Sequence, residues 1–117
     1  MEKYKKTWQR RREEEKAYTK RRYRKARKLA QECADHLRGE YGVSAVHLVG
    51  SAVTSNRFHP RSDIDLMVKG LPDEKYFEAL KDCWDLLPPG FELDLIPWDD
   101  APEGLMKKTR KKREKLS

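Results

Sequence analysis

The stretch "HLVGSAVTSNRFHPRSDIDLMV", residues His47–Val68, decides how this chain is read. An apolar run over residues 43–49 stops at Gly50-Ser51, and eleven residues later a second apolar run, 62–69, carries Asp63 and Asp65. Side chains alternate along a strand, so Asp63 and Asp65 fall on one side, about 7 Å apart. Ile64, Leu66 and Val68 then keep the other side for a core. Two strands with one polar face follow, and the first ends in a glycine that lets the backbone turn sharply.

Working outward, "FELDLIPW" (91–98) reads as a third strand. Phe91, Leu93 and Leu95 face one way, and Glu92, Asp94 and Ile96 face the other. Between the second and third strands, residues 72–87 read as a helix whose Phe77, Leu80, Trp84 and Leu87 recur at i, i+3, i+7 and i+10, an inward stripe. Pro88-Pro89-Gly90 ends it. Upstream, Ala26, Leu29, Ala30, Cys33, Ala34 and Leu37 form another helical stripe. Residues 1–24 are rich in Lys, Arg and Glu, with Tyr4, Trp8, Tyr18 and Tyr23 interleaved, and contain no helix breaker. One long helix is expected, its second half docked and its first half projecting. A last basic helix should begin near Pro102. The fold class is α+β in two layers: a small mixed sheet packed with helices. Residues 26–106 form the domain, 1–25 a basic helical extension and 107–117 a basic helix or tail.

With 117 residues, 40% of them charged, the chain can build one modest core. The net charge of +7 hides an asymmetry. Residues 1–40 hold 15 Lys/Arg against 7 Asp/Glu, 41–106 hold 5 against 12, and 107–117 hold 7 against 1. An acidic middle is flanked by basic ends. Such ends attract nucleic acid or an acidic protein surface, although a solvated charge run is the commoner reading. No apolar window is long enough to span a bilayer and no secretory h-region is present, so neither membrane nor export is expected. Cys33 and Cys83 lie within helical apolar patterns and read as buried free thiols, consistent with the cytoplasm.

If the third strand lies beside the second, Asp94 joins Asp63 and Asp65 on the polar face. Three gathered carboxylates repel one another, and oxygen-preferring cations such as Mg²⁺ relieve that repulsion. Two ions so held serve in-line phosphoryl or nucleotidyl transfer. Backbone N–H groups at Gly50-Ser51 and the Ser51 hydroxyl suit a triphosphate. Taken singly, each feature has a plain structural reading: a solvated sheet face for the acids, a strand-ending turn for Gly-Ser. Together they describe a nucleotide-plus-metal site.

Gly50-Ser51, Asp63-x-Asp65 and Asp94 on a later strand resemble the nucleotidyltransferase superfamily that shares its fold with DNA polymerase β. "LVGSAVTSNRFHPRSDIDLMV" and "FELDLIPWDDAPEGL" are most similar to its minimal nucleotidyltransferases, small domains often paired with a helical HEPN protein as toxin–antitoxin modules. The resemblance implies that Asp63 and Asp65 bind Mg²⁺ shared with the nucleotide phosphates. It implies that Asp94 completes the metal site and helps deprotonate the acceptor, and that Gly50 and Ser51 hold the β- and γ-phosphates. The implied activity is transfer of AMP from ATP to a hydroxyl of a macromolecular acceptor, such as a tyrosine of a HEPN-like toxin. A second copy of the chain is the other expected partner. The alternative is a nucleotidyltransferase-fold module that neutralises a partner or holds RNA by contact. Where many relatives carry Arg-Gly after the Gly-Ser pair, this chain has Thr54-Ser55, which leaves Arg57 or Arg61 to supply positive charge. Relatives often end in a further short strand, whereas this chain runs into "KKTRKKREKLS".

Overall fold

The computed structural model describes residues 2–54, 58, 63–109 and 112–117, with side chains from Trp8 onward save that of Lys108. Helix α1 (Glu2–Tyr41) leads into strand β1 (Ala45–Val49) and a 3-10 turn, Gly50–Val53. Strand β2 (Ile64–Lys69) follows, then helix α2 (Tyr76–Asp85), strand β3 (Leu93–Pro97), helix α3 (Glu103–Thr109) and strand β4 (Glu114–Lys115). The sheet order is β3-β2-β1-β4. β1 runs antiparallel to both β2 and β4, while β2 and β3 are parallel, and α2 supplies the crossover that a parallel pair requires. The architecture is the mixed α+β arrangement expected: a long N-terminal helix over a four-stranded mixed sheet.

Both α1 and α2 cover one face of the sheet. The α1 stripe of Ala26, Leu29, Ala30, Cys33, Ala34 and Leu37 is buried against Val46 and Leu48 of β1 and Ile64, Leu66 and Val68 of β2. Leu93 and Leu95 of β3 complete that core. Period-2 alternation therefore turns Asp65 and Asp94 to the opposite face. There, Met67 is buried beneath α3, with its sulfur 3.9 Å from the Thr109 hydroxyl.

The inward face of α2 is not the expected one. Ala79, Leu80 and Cys83 are buried, whereas Phe77 is 78% and Trp84 52% exposed. The small residues of α1 admit a close helix–helix approach only where α2 is small as well, and Cys33 Sγ lies 3.8 Å from the Cys83 carbonyl. The contact thus rotates Phe77 and Trp84 about a quarter turn out of the core. Asp82 fastens the two helices, accepting from Tyr41 Oη at 2.6 Å and pairing with His36 Nε2 at 3.1 Å. Both bonds hold its carboxyl below the usual range, the Tyr41 bond most.

The C-terminal segment also departs from expectation. A basic helix or tail is expected over 107–117, but α3 stops at Thr109 and Glu114–Lys115 return to pair with β1. The reason lies in β1, whose outer backbone edge needs partners. Leu116 N donates to Val46 O at 2.8 Å, and the Leu116 side chain packs against the core. Glu114 pairs with Arg27 of α1. A short closing strand is therefore present where a basic helix or tail was expected.

At the other end of α1 the side chains from Trp8 to Tyr18 are exposed, and the first buried one among the described side chains is Ala26. The helix sets the 61 Å long axis of a molecule only 30 Å and 19 Å across. Among the described residues, no helix is long and apolar enough to cross a membrane.

Candidate active site

Asp63 sits just before β2 and Asp65 is its second residue, while Asp94 is the second residue of β3. The strand register sets Asp65 directly beside Asp94 on one flank and Val49 on the other. Asp65 is half-buried; Asp63 and Asp94 are exposed. Burial pushes the Asp65 carboxyl up to about 6, with the charges of Asp94 and then Asp63 adding to the effect. All three sequence-singled aspartates thus reach one end of the sheet, near enough to sense one another. Among the described residues, no three Asp, Glu, His or Cys side chains close into a group that could hold an ion. The carboxylates meet as strand neighbours, not as a finished cage. As hard oxygen donors of like charge, one of them kept from full ionisation at neutral pH, they suit a divalent cation chemically.

Gly50 is needed where it stands. Its φ is +78°, and a Cβ added there would lie 2.8 Å from Asp65 Oδ2. The turn that begins with Gly50-Ser51 therefore lies directly against the central carboxylate. Ser51 is half-buried at its start and Ala52 is buried. Helix α1 holds this turn from behind. Arg27 Nη1 donates to the carbonyls of Ala52 and Val53 at 3.3 and 3.4 Å, and Tyr23 Oη donates to Val53 O at 3.4 Å. Arg27 also pairs with Glu114, so one guanidinium joins α1, the turn and β4. Sequence reading missed Arg27, whose only signal was a cation within an otherwise apolar stripe. Thr54 is exposed; Ser55, Arg57 and Arg61 lie outside the described residues.

A groove of about 520 Å³ opens beside the carboxylates, with Asp63 and Asp94 at one end and Trp84, Leu87, Pro88 and Phe91 along its wall. Trp84 is fixed by its indole N–H, which donates to Leu93 O at 2.8 Å. Tyr76 makes a similar bond to Leu95 O at 2.7 Å, and burial followed by the Asp94 charge raises its phenol. Arg22 of α1 lies over the Phe91 ring, 4.1 Å from its centre, and donates to Gly90 O at 2.6 Å. The sequence assigned Trp84 and Leu87 to the core; Trp84 instead serves as groove wall and Leu87 does both. Midway along β1, His47 packs 5.2 Å from Trp98, over which Arg113 stacks 4.7 Å from the indole centre, so Trp98 is a rim aromatic. Burial and the charges of Arg113, Lys115 and Lys69 lower the His47 pKa.

A mixed sheet with an Asp-x-Asp pair at the start of one strand, a third aspartate on its parallel neighbour and a Gly-Ser turn against Asp65 defines a nucleotidyl-transfer scaffold. The family model for the nucleotidyltransferase domain matches residues 26–116, and the chain belongs to that family. The match opens at Ala26, the first buried residue among the described side chains of α1. Neither the curated proteins nor the solved structures gave a match.

Proposed function

We propose that the chain transfers AMP from ATP to a hydroxyl group of a macromolecular acceptor, in the manner of the minimal nucleotidyltransferases that its motifs resemble. The observation that carries this reading is the position of Asp65, wedged between Asp94 and the Gly50 turn and held up at about 6. Gly50 and Ser51 grip the β- and γ-phosphates. Asp63 and Asp65 would hold Mg²⁺, with Asp94 as the third donor. A bound divalent ion offsets charge on the reacting phosphate and the leaving group. Asp94, exposed at the head of the groove, accepts the proton of the acceptor hydroxyl. That oxygen then bonds to the α-phosphorus of ATP as the bond to the β-phosphate oxygen breaks, and pyrophosphate departs.

The groove supports a protein acceptor. Its Trp84, Leu87 and Phe91 wall suits an aromatic side chain better than a sugar, and the open end leaves the remaining walls to another chain. A tyrosine of a HEPN-like partner, with the chain as its antitoxin, is the acceptor we infer. The test is incubation with α-labelled ATP, Mg²⁺ and the product of the neighbouring gene. Label should appear on a partner tyrosine and vanish in the Asp63→Asn, Asp65→Asn double variant. Label transfer that survives this double variant would overturn the site assignment.

A second reading draws on the carboxylates' not closing into an ion-binding group. The fold would then serve as a contact inhibitor with little turnover. Tight partner binding without any label transfer, and without a response to Mg²⁺, would select it.

A further inference from the structure

We propose that the projecting N-terminal half of α1 is a docking arm for single-stranded nucleic acid. The inference goes beyond nucleotidyl transfer and does not rest on it. It begins from a helix that the fold does not otherwise use. Among the described residues, the first contacts of α1 with the body are those of Arg22 with Gly90 and Phe91 and of Tyr23 with Val53. Residues 8–21 extend beyond them by about 20 Å at 1.5 Å per residue.

Charge selects a polyanion. Residues 8–25 hold nine Lys/Arg against three Glu. None of the described ion pairs engages a side chain of that segment. A polar-all-round helix of this kind, without a packed face, is only marginally stable by itself, and its like charges repel. Among the described residues, the acidic body of residues 41–106 meets the arm at its root. A phosphate chain laid along the helix would neutralise the arm's charge.

Two aromatics narrow the class. Trp8 is 62% and Tyr18 47% exposed, on a segment whose other exposed side chains are mostly charged. They stand ten residues apart, about 15 Å along the axis and within roughly 80° of each other around it. Arg22 lies 6.0 Å from the Tyr18 ring centre. Exposed rings interleaved with guanidinium groups stack on unpaired bases while the cations track the backbone, a pairing that an acidic protein surface does not call for. A second copy of the chain would bring the same positive arm against itself. The arm's root also fits the assignment: Tyr23 and Arg27 tie it to the Gly50–Val53 turn, so a strand lying on the arm runs toward the carboxylates.

The test uses the full chain without nucleotide or Mg²⁺, which separates it from the transfer reading. A fluorescent 20-mer of oligouridine should bind more tightly than duplex RNA of equal length or polyglutamate. Arg10→Gln, Arg11→Gln and Arg12→Gln together should weaken binding at least tenfold and flatten the salt dependence by about two in log–log slope, at roughly 0.7 per phosphate contact. Binding should quench tryptophan emission in the wild type and not in Trp8→Phe. An unchanged affinity in the triple variant, confirmed folded by its melting curve, overturns the proposal. So does tighter binding of polyglutamate, which makes the partner an acidic protein, or a dimer by light scattering that Trp8→Ala dissolves, which makes it a second copy. Equal binding of duplex with no quench removes the single-strand assignment.

Discussion

A methyl group placed on Gly50 would stand 2.8 Å from Oδ2 of Asp65. The clash adds to the strain of a side chain at φ +78°. Gly50→Ala should therefore lose about 1–3 kcal/mol of stability by urea titration. It should also cut transfer more than the neighbouring Ser51→Ala does, since the displaced group is the central carboxylate. A Gly50→Ala enzyme as active as the wild type would separate the turn from the carboxylate's function.

Asp65 makes stability depend on pH in an unusual direction. Its folded pKa, about 6, lies above the ordinary carboxyl value of 3.8. The native state therefore holds the proton more tightly than the unfolded chain, and stability falls as pH rises through that interval. Below about pH 4 both states keep the proton, and Asp65→Asn should melt like the wild type. At pH 8 the variant should be more stable by on the order of 1–2 kcal/mol, discounted for the side chain's partial exposure. Mg²⁺ should raise the Tm of the wild type at pH 8 and leave the variant's unmoved.

Arg27 should behave as a keystone that lysine cannot replace. Arg27→Ala removes donors from two turn carbonyls and the partner of Glu114, for a loss of about 1–2 kcal/mol by chemical denaturation. Arg27→Lys should recover little, because an ammonium cannot fork between the turn and β4. Both variants should raise the KM for ATP more than that for the acceptor.

Trp84 should act on the acceptor alone. Trp84→Ala empties one groove wall and should raise the acceptor KM about tenfold, ~1.4 kcal/mol, with the KM for ATP unchanged. Equal effects on both substrates would move the groove's role from acceptor to nucleotide.

The two faces of α2 can be told apart by stability. Leu80→Ala, in the core, should cost about 2–4 kcal/mol. Phe77→Ser, on the exposed flank, should stay within about 0.5 kcal/mol.

The alternation of Ile64, Asp65 and Leu66 was legible because burial on one sheet face leaves strands a period of two. It fixed β2, and the same pattern at Leu93-Asp94-Leu95 fixed β3 and its polar side. Nothing local reported that β3 lies parallel to β2 with Asp94 opposite Asp65; that register is a tertiary fact. The α2 stripe misled because Phe77 and Trp84 share a helical period with Leu80. Which of two overlapping stripes faces inward was decided by small residues on another helix, Ala30 and Cys33. β4 was hidden by its own composition. Seven cations among residues 107–117 read as a tail, although two paired backbone residues and Leu116 suffice to close the sheet.

The outer edge of β3 has one more consequence. Its Leu93 and Leu95 carbonyls are already occupied by the Trp84 indole and the Tyr76 phenol, and Pro97 brings no N–H to that edge. The opposite margin is formed by β4, a strand of two residues, and short edges of this kind limit pairing with other chains. Along β3, an incoming strand would find both the Leu93 and Leu95 carbonyls taken, so on that margin recognition falls to side chains and charge.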